Sequence, residues 1–262
     1  ATYIDKDGND IETVQTTVSD MNDFIREIAK VRNIRKPKII LGCDGGQDKI
    51  LVTAIIMEED ECLTEDDEKV LDCYKPTGKN RVLVVGKVDG VPENRHNVEL
   101  LLNSLQLPEL KQEIEVVCDL KLISIIIGIQ TSSAMFGCPY GECHKIDEDT
   151  NEMTNKRGLY VTGSMRTCNN IVENQKAWLK ATNGDRTNLK YFKNCEFEPM
   201  KLRKDQGDQE IIFMFPPDPL HINYLGPVND ALELLEKMYP IVMCEEFYVK
   251  HNMKKEWTRK RG

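Results

Sequence analysis

Two apolar segments with the composition of β-strands each end at an aspartate, and this pair constrains the fold more than any other feature. Asp44 closes residues 38–44 (KIILGCD), and Asp119 follows residues 113–118 (EIEVVC). A carboxylate beside a buried strand destabilises a protein unless a cation or hydrogen bonds compensate its charge. Mg²⁺ is held in proteins by a few carboxylates together with waters and substrate phosphates. The two aspartates therefore indicate a divalent-metal site if the fold brings them together.

The order of the surrounding elements predicts that the fold brings Asp44 and Asp119 together. Six segments follow in the order β-β-β-α-β-α, namely residues 38–44, 49–57, 81–88, 93–105, 113–118 and 119–129. The first two strands form a hairpin around Gly45 and Gly46. This is the layout of a ribonuclease-H-like core, in which the first and fourth strands are neighbours. We therefore predict an α/β fold of that type, with Asp44 beside Asp119.

The rest of the chain is predicted to flank this core. Four segments make up the predicted organisation: an N-terminal helical segment (1–36), the ribonuclease-H-like core (37–137), a loop-rich, zinc-like insertion (138–209), and a strand with basic C-terminal helices (210–262). Within them, apolar residues recur at helical spacing over 19–33, and a helix is predicted over 169–180. Residues 210–215 read as a strand, and the helix over 244–257 is basic.

Composition and charge narrow the function classes. The 262 residues are 40% hydrophobic and 30% charged, which is typical of a globular chain. The net charge of −9 argues against a protein that merely coats nucleic acid, although residues 250–261 are basic and could bind a phosphate backbone. No apolar run approaches the roughly 18 residues of a membrane span, so we expect no membrane partner.

The cysteines and the N-terminus suggest an intracellular protein. The nine cysteines are scattered, and the first residues lack the pattern of a signal peptide. We expect reduced thiols and a nuclear or cytoplasmic location. The chain does not begin with Met, so we also expect it to be a piece of something longer.

Each aspartate also has an ordinary structural explanation. Asp44 precedes Gly45-Gly46, and Asp-Gly is good turn chemistry. Asp119 precedes an apolar helix, where aspartate is a favourable N-cap. Only the topology, which predicts both positions jointly, favours catalysis. In that case Gly45 and Gly46 would let a phosphate backbone approach the metal without obstruction by side chains.

Two further motifs are candidates for chemistry. Cys138 and Cys143 flank a Pro/Gly turn and, with His144, could form half of a zinc site, or they could be two free thiols on a loop. His221, near a predicted helix start, could contact a phosphate, assist proton transfer or cap the turn. Lys121 could neutralise a phosphate or simply be exposed.

Four short segments match a family pattern in order: 41–46 (LGCDGG), 117–121 (VCDLK), 138–143 (CPYGEC) and 217–221 (PDPLH). Together they resemble DDE-type, transposase-derived proteins and, more distantly, the catalytic core of the V(D)J recombination endonuclease and of Transib transposases. The resemblance spans about residues 38–257. It implies that Asp44 and Asp119 bind two divalent ions, Mg²⁺ or Mn²⁺, which activate a water or a 3′-hydroxyl for attack on a DNA phosphodiester.

The resemblance also implies a Zn²⁺ site that begins with Cys138 and Cys143, a histidine near the active site at His221, DNA as the partner, and a homo-oligomer in the full-length protein. The family's third acidic ligand is expected beyond Gly262. Local alternatives for it are Glu233, Glu236, Glu245 and Glu246. The zinc spacing is wider than the family's CxxC form. We therefore expect a truncated or degenerate copy of such a transposase, and its activity in DNA cleavage stays open.

Two other functions stay open. Residues 44–50 (DGGQDKI) resemble the first phosphate loop of actin-like sugar kinases, although the sequence shows neither their second phosphate loop nor their adenosine motif. A non-enzymatic remnant that binds DNA or a protein through the basic tail is the third possibility. Metal dependence separates the first function from the third, and nucleotide hydrolysis would favour the second.

Overall fold

The computed structural model describes residues 2–46, 48–58, 82–130, 134–147, 149–154 and 159–216. These residues belong to one compact unit, Ala1–Pro216. His221, the basic tail and the four local candidates for a third acidic ligand lie outside the described residues.

The unit contains short and long strands together with helices. In chain order the described strands are β1 Thr2–Ile4, β2 Asp10–Glu12, β3 Gln15–Thr17, β4 Pro37–Gly46, β5 Lys49–Glu58, β6 Val82–Asp89, β7 Ile114–Val117, β8 His144–Ile146, β9 Met153–Thr154 and β10 Leu159–Val161. The described α-helices are α1 Met21–Val31, α2 Arg95–Ser104, α3 Leu120–Ile127, α4 Cys168–Thr182 and α5 Ile211–Met214. Two 3₁₀ segments, Leu107–Glu109 and Arg186–Phe192, complete the set.

A mixed five-stranded sheet forms the centre of the unit, with the strand order β3-β6-β5-β4-β7. Strands β4 and β5 pair antiparallel along their whole lengths, which confirms the predicted hairpin. Strand β7 pairs parallel with β4, so the predicted neighbourhood of these two strands is also confirmed. A parallel pair needs a crossover rather than a tight turn. The chain between β6 and β7 contains α2.

Successive side chains of a strand point to opposite faces of its sheet. One face of this sheet is buried. In β4 the odd-numbered residues Ile39, Leu41 and Cys43 are at most 7% exposed. Helix α1 is amphipathic and buries Met21 and Ile25 in the same hydrophobic cluster. Burying one such aliphatic side chain fully stabilises a fold by about 1.5–3 kcal/mol. This cluster fixes the strand register on which the candidate site depends.

The structure differs from the predictions at both ends of the described chain. Residues 1–36 were expected to be a helical segment, but β1, β2 and β3 precede α1, and β3 extends the central sheet by pairing with β6. Residues 210–215 were expected to be a strand, but Ile211–Met214 is one helical turn. Ile211 and Met214 are buried at a spacing of three while Phe213 is 64% exposed, a helical pattern that four consecutive apolar residues cannot reveal.

Two further differences concern turns and loops. Gly45 and Gly46 pair with Ile50 and Lys49, so β4 runs through both glycines instead of turning there. The region expected to be rich in loops contains a small three-stranded sheet, in the order β10-β8-β9, before helix α4. Every helix in the described ranges is too short or too polar to cross a bilayer.

Candidate metal centre

The register of β4 and β7 defines the candidate site. Leu41 is paired with Val116, and Gly42 with Val117. The observed pairs end there, two residues before each aspartate, and the same register continued by two residues would bring Asp44 opposite Asp119. Neighbouring residues of paired strands point to the same face of a sheet. Both aspartates that the sequence singles out therefore lie at the carboxyl ends of adjacent parallel strands.

Asp44 is accessible from solvent. It lies near the end of β4, where it pairs with Leu51 of the hairpin, and its side chain is exposed while that of Cys43 is buried. The alternation along the strand places Asp44 on the sheet face that the main hydrophobic cluster leaves open. Solvent therefore reaches this carboxylate.

Asp119 is the N-cap of α3. Its backbone is extended, and its Oδ1 accepts a hydrogen bond from the Leu122 N–H at 2.7 Å. The structural role that the sequence offers for Asp119 is thus present. This hydrogen bond occupies one of the two carboxylate oxygens of Asp119. A cap and a metal ligand are compatible in one aspartate, because the second oxygen has its own lone pairs.

Glu93 is a buried carboxylate that sequence reasoning missed, and it packs against Gly45, next to Asp44 in β4. Its side chain is only 6% exposed, and its Oε2 lies 2.5 Å from the Lys121 Nζ. Its Oε1 is buried and has no hydrogen-bond partner among the described residues. Nothing in the sequence distinguishes Glu93, because an acidic residue just before a helix is ordinary. The pair connects the segment before α2 to the first turn of α3.

Glu93 also explains why position 45 is a glycine. A Cβ at Gly45 would lie 2.5 Å from the Glu93 Cδ and 2.8 Å from its Oε1, both closer than real contacts allow. The space at Gly45 is therefore filled by a carboxylate of the protein itself, and not left open for a phosphate as predicted. Around Gly46, by contrast, a Cβ would meet nothing within 4 Å.

Two buried cysteines lie behind the aspartates. Burial raises the pKa of Cys43 to about 12. Burial also raises the pKa of Cys118, and the nearby carboxylates of Asp119 and Glu93 raise it further. Both thiols are therefore protonated at neutral pH. They act as small apolar side chains, because a thiol must lose its proton to bind a metal.

The predicted zinc half-site lies elsewhere in the unit. Cys138 and Cys143 are half-buried free thiols. His144 begins β8, and its ring centroid is 5.2 Å from that of Phe136. The described ranges contain no group of three or more His, Cys, Asp or Glu side chains placed to hold a metal ion. Among the described residues, the structure thus assembles a three-ligand site neither from Cys138, Cys143 and His144 nor around Asp44 and Asp119, and metal binding at both places stays a prediction.

Arg166 holds the loop that carries these cysteines. Its side chain is fully buried. The Nε donates to the Cys138 carbonyl at 3.0 Å, and Nη2 donates to the carbonyls of Phe136 at 3.1 Å and Lys193 at 2.9 Å. Nη1 lies 3.5 Å from the Cys195 Sγ. No sequence signal marks this residue, since arginines are mostly exposed.

The third candidate catalytic residue, His221, lies outside the described residues, so its distance from the two aspartates is not defined. The chain matches no known family model, no curated protein and no solved structure at a significant level. The geometry around Asp44 and Asp119 is accordingly the basis on which function is inferred.

Proposed function

We propose that this chain is part of a DDE-type, transposase-like catalytic core that cleaves and joins DNA phosphodiesters with Mg²⁺ or Mn²⁺. The observation that supports the proposal is the parallel pairing of β4 with β7, because Asp44 lies near the carboxyl end of β4 and Asp119 follows the carboxyl end of β7. The strand order β6-β5-β4-β7, with α2 in the crossover, supports a ribonuclease-H-like core of the kind on which such enzymes are built.

The residues present suit a hard divalent cation. Carboxylate oxygens are the ligands that Mg²⁺ and Mn²⁺ prefer, and Mg²⁺ keeps several waters when few protein ligands bind it. Asp44 would contribute an exposed carboxylate, and Asp119 would contribute the oxygen that the N-cap leaves over. A bound Mg²⁺ or Mn²⁺ would supply Lewis-acid activation of a water or a 3′-hydroxyl and would stabilise charge on the phosphate.

The protein's own contribution is to position these two carboxylates. The hairpin fixes Asp44, and the first turn of α3 fixes Asp119. The Glu93–Lys121 ion pair joins the start of α3 to the segment in front of α2. Because Glu93 also packs against Gly45, next to Asp44, this contact connects the backbones that carry both ligands. We assign Glu93 a positioning role and not that of a metal ligand.

The proposal has further parts that rest on the family resemblance. They are DNA as substrate, a homo-oligomeric full-length protein, His221 near the reacting groups, and zinc bound through Cys138 and Cys143; a nuclear or cytoplasmic location is proposed from the cysteines and the N-terminus. The third acidic ligand falls outside the described residues. Metal-dependent DNA cleavage tests the core of the proposal together with DNA as substrate, and without the other parts.

The experiment compares metal-dependent nicking of supercoiled plasmid by the full chain and by Asp44→Asn and Asp119→Asn. Asparagine caps a helix about as well as aspartate, so Asp119→Asn is expected to keep α3. Asp20→Asn is the matched control, because Asp20 caps α1 in the same way, through the Asp23 N–H at 2.9 Å. We expect nicking that requires Mg²⁺ or Mn²⁺ and falls at least 100-fold in both site variants, with Asp20→Asn unchanged.

Other results would contradict this function. Full nicking by both site variants would exclude their catalytic role. If the wild-type chain binds DNA but never nicks it, the non-enzymatic remnant is the better description. Hydrolysis of ATP that depends on Asp44, with no nicking, would favour the kinase alternative.

A further inference from the structure

An ion pair holds an ammonium group at the start of α3. The Lys121 Nζ is 2.5 Å from the Glu93 Oε2, and the Glu93 side chain is only 6% exposed, whereas that of Lys121 is 55% exposed. Lys121 follows Asp119 by two residues and belongs to the first turn of the helix that Asp119 caps. A buried carboxylate thus keeps one positive charge close to a candidate metal ligand in the sequence.

Two observations connect Glu93 to both aspartates. A Cβ at Gly45 would be 2.5 Å from the Glu93 Cδ, and the Cα of Asp44 is only about 3.8 Å from that of Gly45. The carboxylates of Asp119 and Glu93 both raise the pKa of Cys118, so both lie within electrostatic range of one thiol. Three carboxylates and one ammonium therefore belong to the same end of the β4–β7 pair.

The oxygens that a metal ion can reach come from the two aspartates. The Glu93 Oε1 is buried and has no hydrogen-bond partner in the described ranges, and its Oε2 is bound by Lys121. An ion that approaches from solvent reaches neither of these oxygens. The Asp119 Oδ1 accepts the N-cap hydrogen bond. This leaves the second oxygen of Asp119 and the exposed carboxylate of Asp44.

This set of oxygens suits one ion better than two. Mg²⁺ is commonly held by one or two carboxylates, while waters complete its octahedral shell. Two-metal sites place their ions about 3.5–4 Å apart, so the ions must share carboxylate ligands. Within the part of the chain that the structure describes, no third acidic side chain joins Asp44 and Asp119 as a ligand group.

The charges lead to the same count. Asp44, Asp119 and Glu93 carry three negative charges, and Lys121 carries one positive charge. Before a substrate binds, one divalent ion balances the two negative charges that remain. A second divalent ion would leave a net positive charge, and two such ions repel each other strongly at the spacing of a two-metal site.

We propose that the Lys121 ammonium, held by Glu93, takes the place of a second divalent cation, so that Asp44 and Asp119 bind one Mg²⁺ or Mn²⁺. This inference rests on the proposed function, because it concerns the same site. It departs from the two ions that the family resemblance implies. Glu93 orients the lysine, and the lysine supplies a fixed positive charge that is present whether or not metal is bound.

Titration of the full chain with Mn²⁺, followed by electron paramagnetic resonance, tests this count. Free Mn²⁺ gives a strong six-line signal, so the loss of that signal measures how many ions are bound. We expect one bound ion per chain whose affinity falls at least tenfold in Asp44→Asn. The bound ion should show the spectrum of an isolated Mn²⁺, because a second ion about 3.5–4 Å away would couple to it magnetically.

Lys121→Met is expected to open the second position. The substitution removes the ammonium and leaves the Glu93 Oε2 without its partner. We expect a second bound Mn²⁺, and the double variant Lys121→Met/Glu93→Gln should return to one ion. Lys6→Met is the matched control, because Lys6 pairs at 2.8 Å with Asp48, an exposed carboxylate. This control removes the same charge and should keep one ion, with affinity within about threefold of wild type.

Two results would overturn this inference alone. They are two magnetically coupled ions in the wild-type chain, and a folded Lys121→Met variant that still binds one ion. The first result needs no substitution, so the test stays decisive if Lys121→Met does not fold. Absence of any Asp44-dependent Mn²⁺ from the wild-type chain would instead overturn the proposed function, and this inference with it.

Discussion

Replacing Gly45 with alanine probes the contact that joins the two halves of the candidate site. The new Cβ would lie 2.5 Å from the Glu93 Cδ and 2.6 Å from its Cγ. Glu93 would have to move by about 1 Å to restore a normal contact distance. Its side chain is 6% exposed and pairs with Lys121, so it has little room to move without disturbing that pair.

The expected loss follows from two contributions. Overpacking at a buried site costs about 1–3 kcal/mol. Weakening the Glu93–Lys121 pair adds at most about 1 kcal/mol, because Lys121 is 55% exposed. We therefore expect Gly45→Ala to lower the free energy of unfolding by about 1–4 kcal/mol. In a domain of this size each kcal/mol corresponds to about 2–4 °C in Tm.

The matched experiment repeats the change in a Glu93→Ala background, where the obstructing carboxylate is gone. There the alanine restricts the unfolded chain and is expected to stabilise by about 0.4–1 kcal/mol, so the sign reverses. Urea denaturation followed by circular dichroism measures all four proteins of the cycle. Equal destabilisation in both backgrounds, or no effect in the wild-type background, would refute the contact.

Three further predictions concern stability and can be read by the same denaturation assay. Arg166→Met should lower the free energy of unfolding by about 3 kcal/mol or more, because it leaves the carbonyls of Cys138, Phe136 and Lys193 without their buried donor; a loss no larger than that of the exposed Arg186→Met would contradict this. Gly128 has a φ of +81°, and a Cβ there would lie only 2.2 Å from the Phe197 carbonyl oxygen, so Gly128→Ala should lower the free energy of unfolding by about 3 kcal/mol or more. Gly8 has a similar φ of +85° but open space around it, so Gly8→Ala should lower it by only about 1 kcal/mol. Burial raises the pKa of Cys43 from 9.0 to about 12, so the native state prefers the neutral thiol. The unfolded chain therefore ionises first, and the stability that the neutral thiol provides is complete below about pH 9 and is lost between about pH 9 and 12. Cys43→Val should remove that part of the decline, and an unchanged pH profile would count against it.

The central strands were predictable because their signals are long and consistent. Residues 38–44 and 49–57 combine β-branched side chains with an Asp-Gly-Gly boundary, and the structure pairs them over the full hairpin. The adjacency of β4 and β7 was predicted from the likeness of the element order to a ribonuclease-H-like layout, in which the first and fourth strands are neighbours. Asp119 was recognised both as a cap and as a site candidate, and its cap is present.

What the sequence could not show depends on contacts between distant segments. Strand β3 is three residues long and exists through its pairing with β6. Glu93, Arg166 and Arg203 are ordinary charged residues in the sequence, and only the fold buries them. The turn predicted at Gly45 and Gly46 was placed two residues too early. Glycine is required at position 45 because Glu93, from a distant segment, fills the space there, and not because the chain turns.

The affinity of the full chain for Mn²⁺ tests the central claim most directly. If Asp44 and Asp119 bind the same ion, Asp44→Asn and Asp119→Asn should each weaken binding at least tenfold. The double variant should then be much less affected than the sum of the two free-energy changes, since the site is already lost. Unchanged affinity in either single variant, or fully additive losses, would show that the two carboxylates do not share a metal.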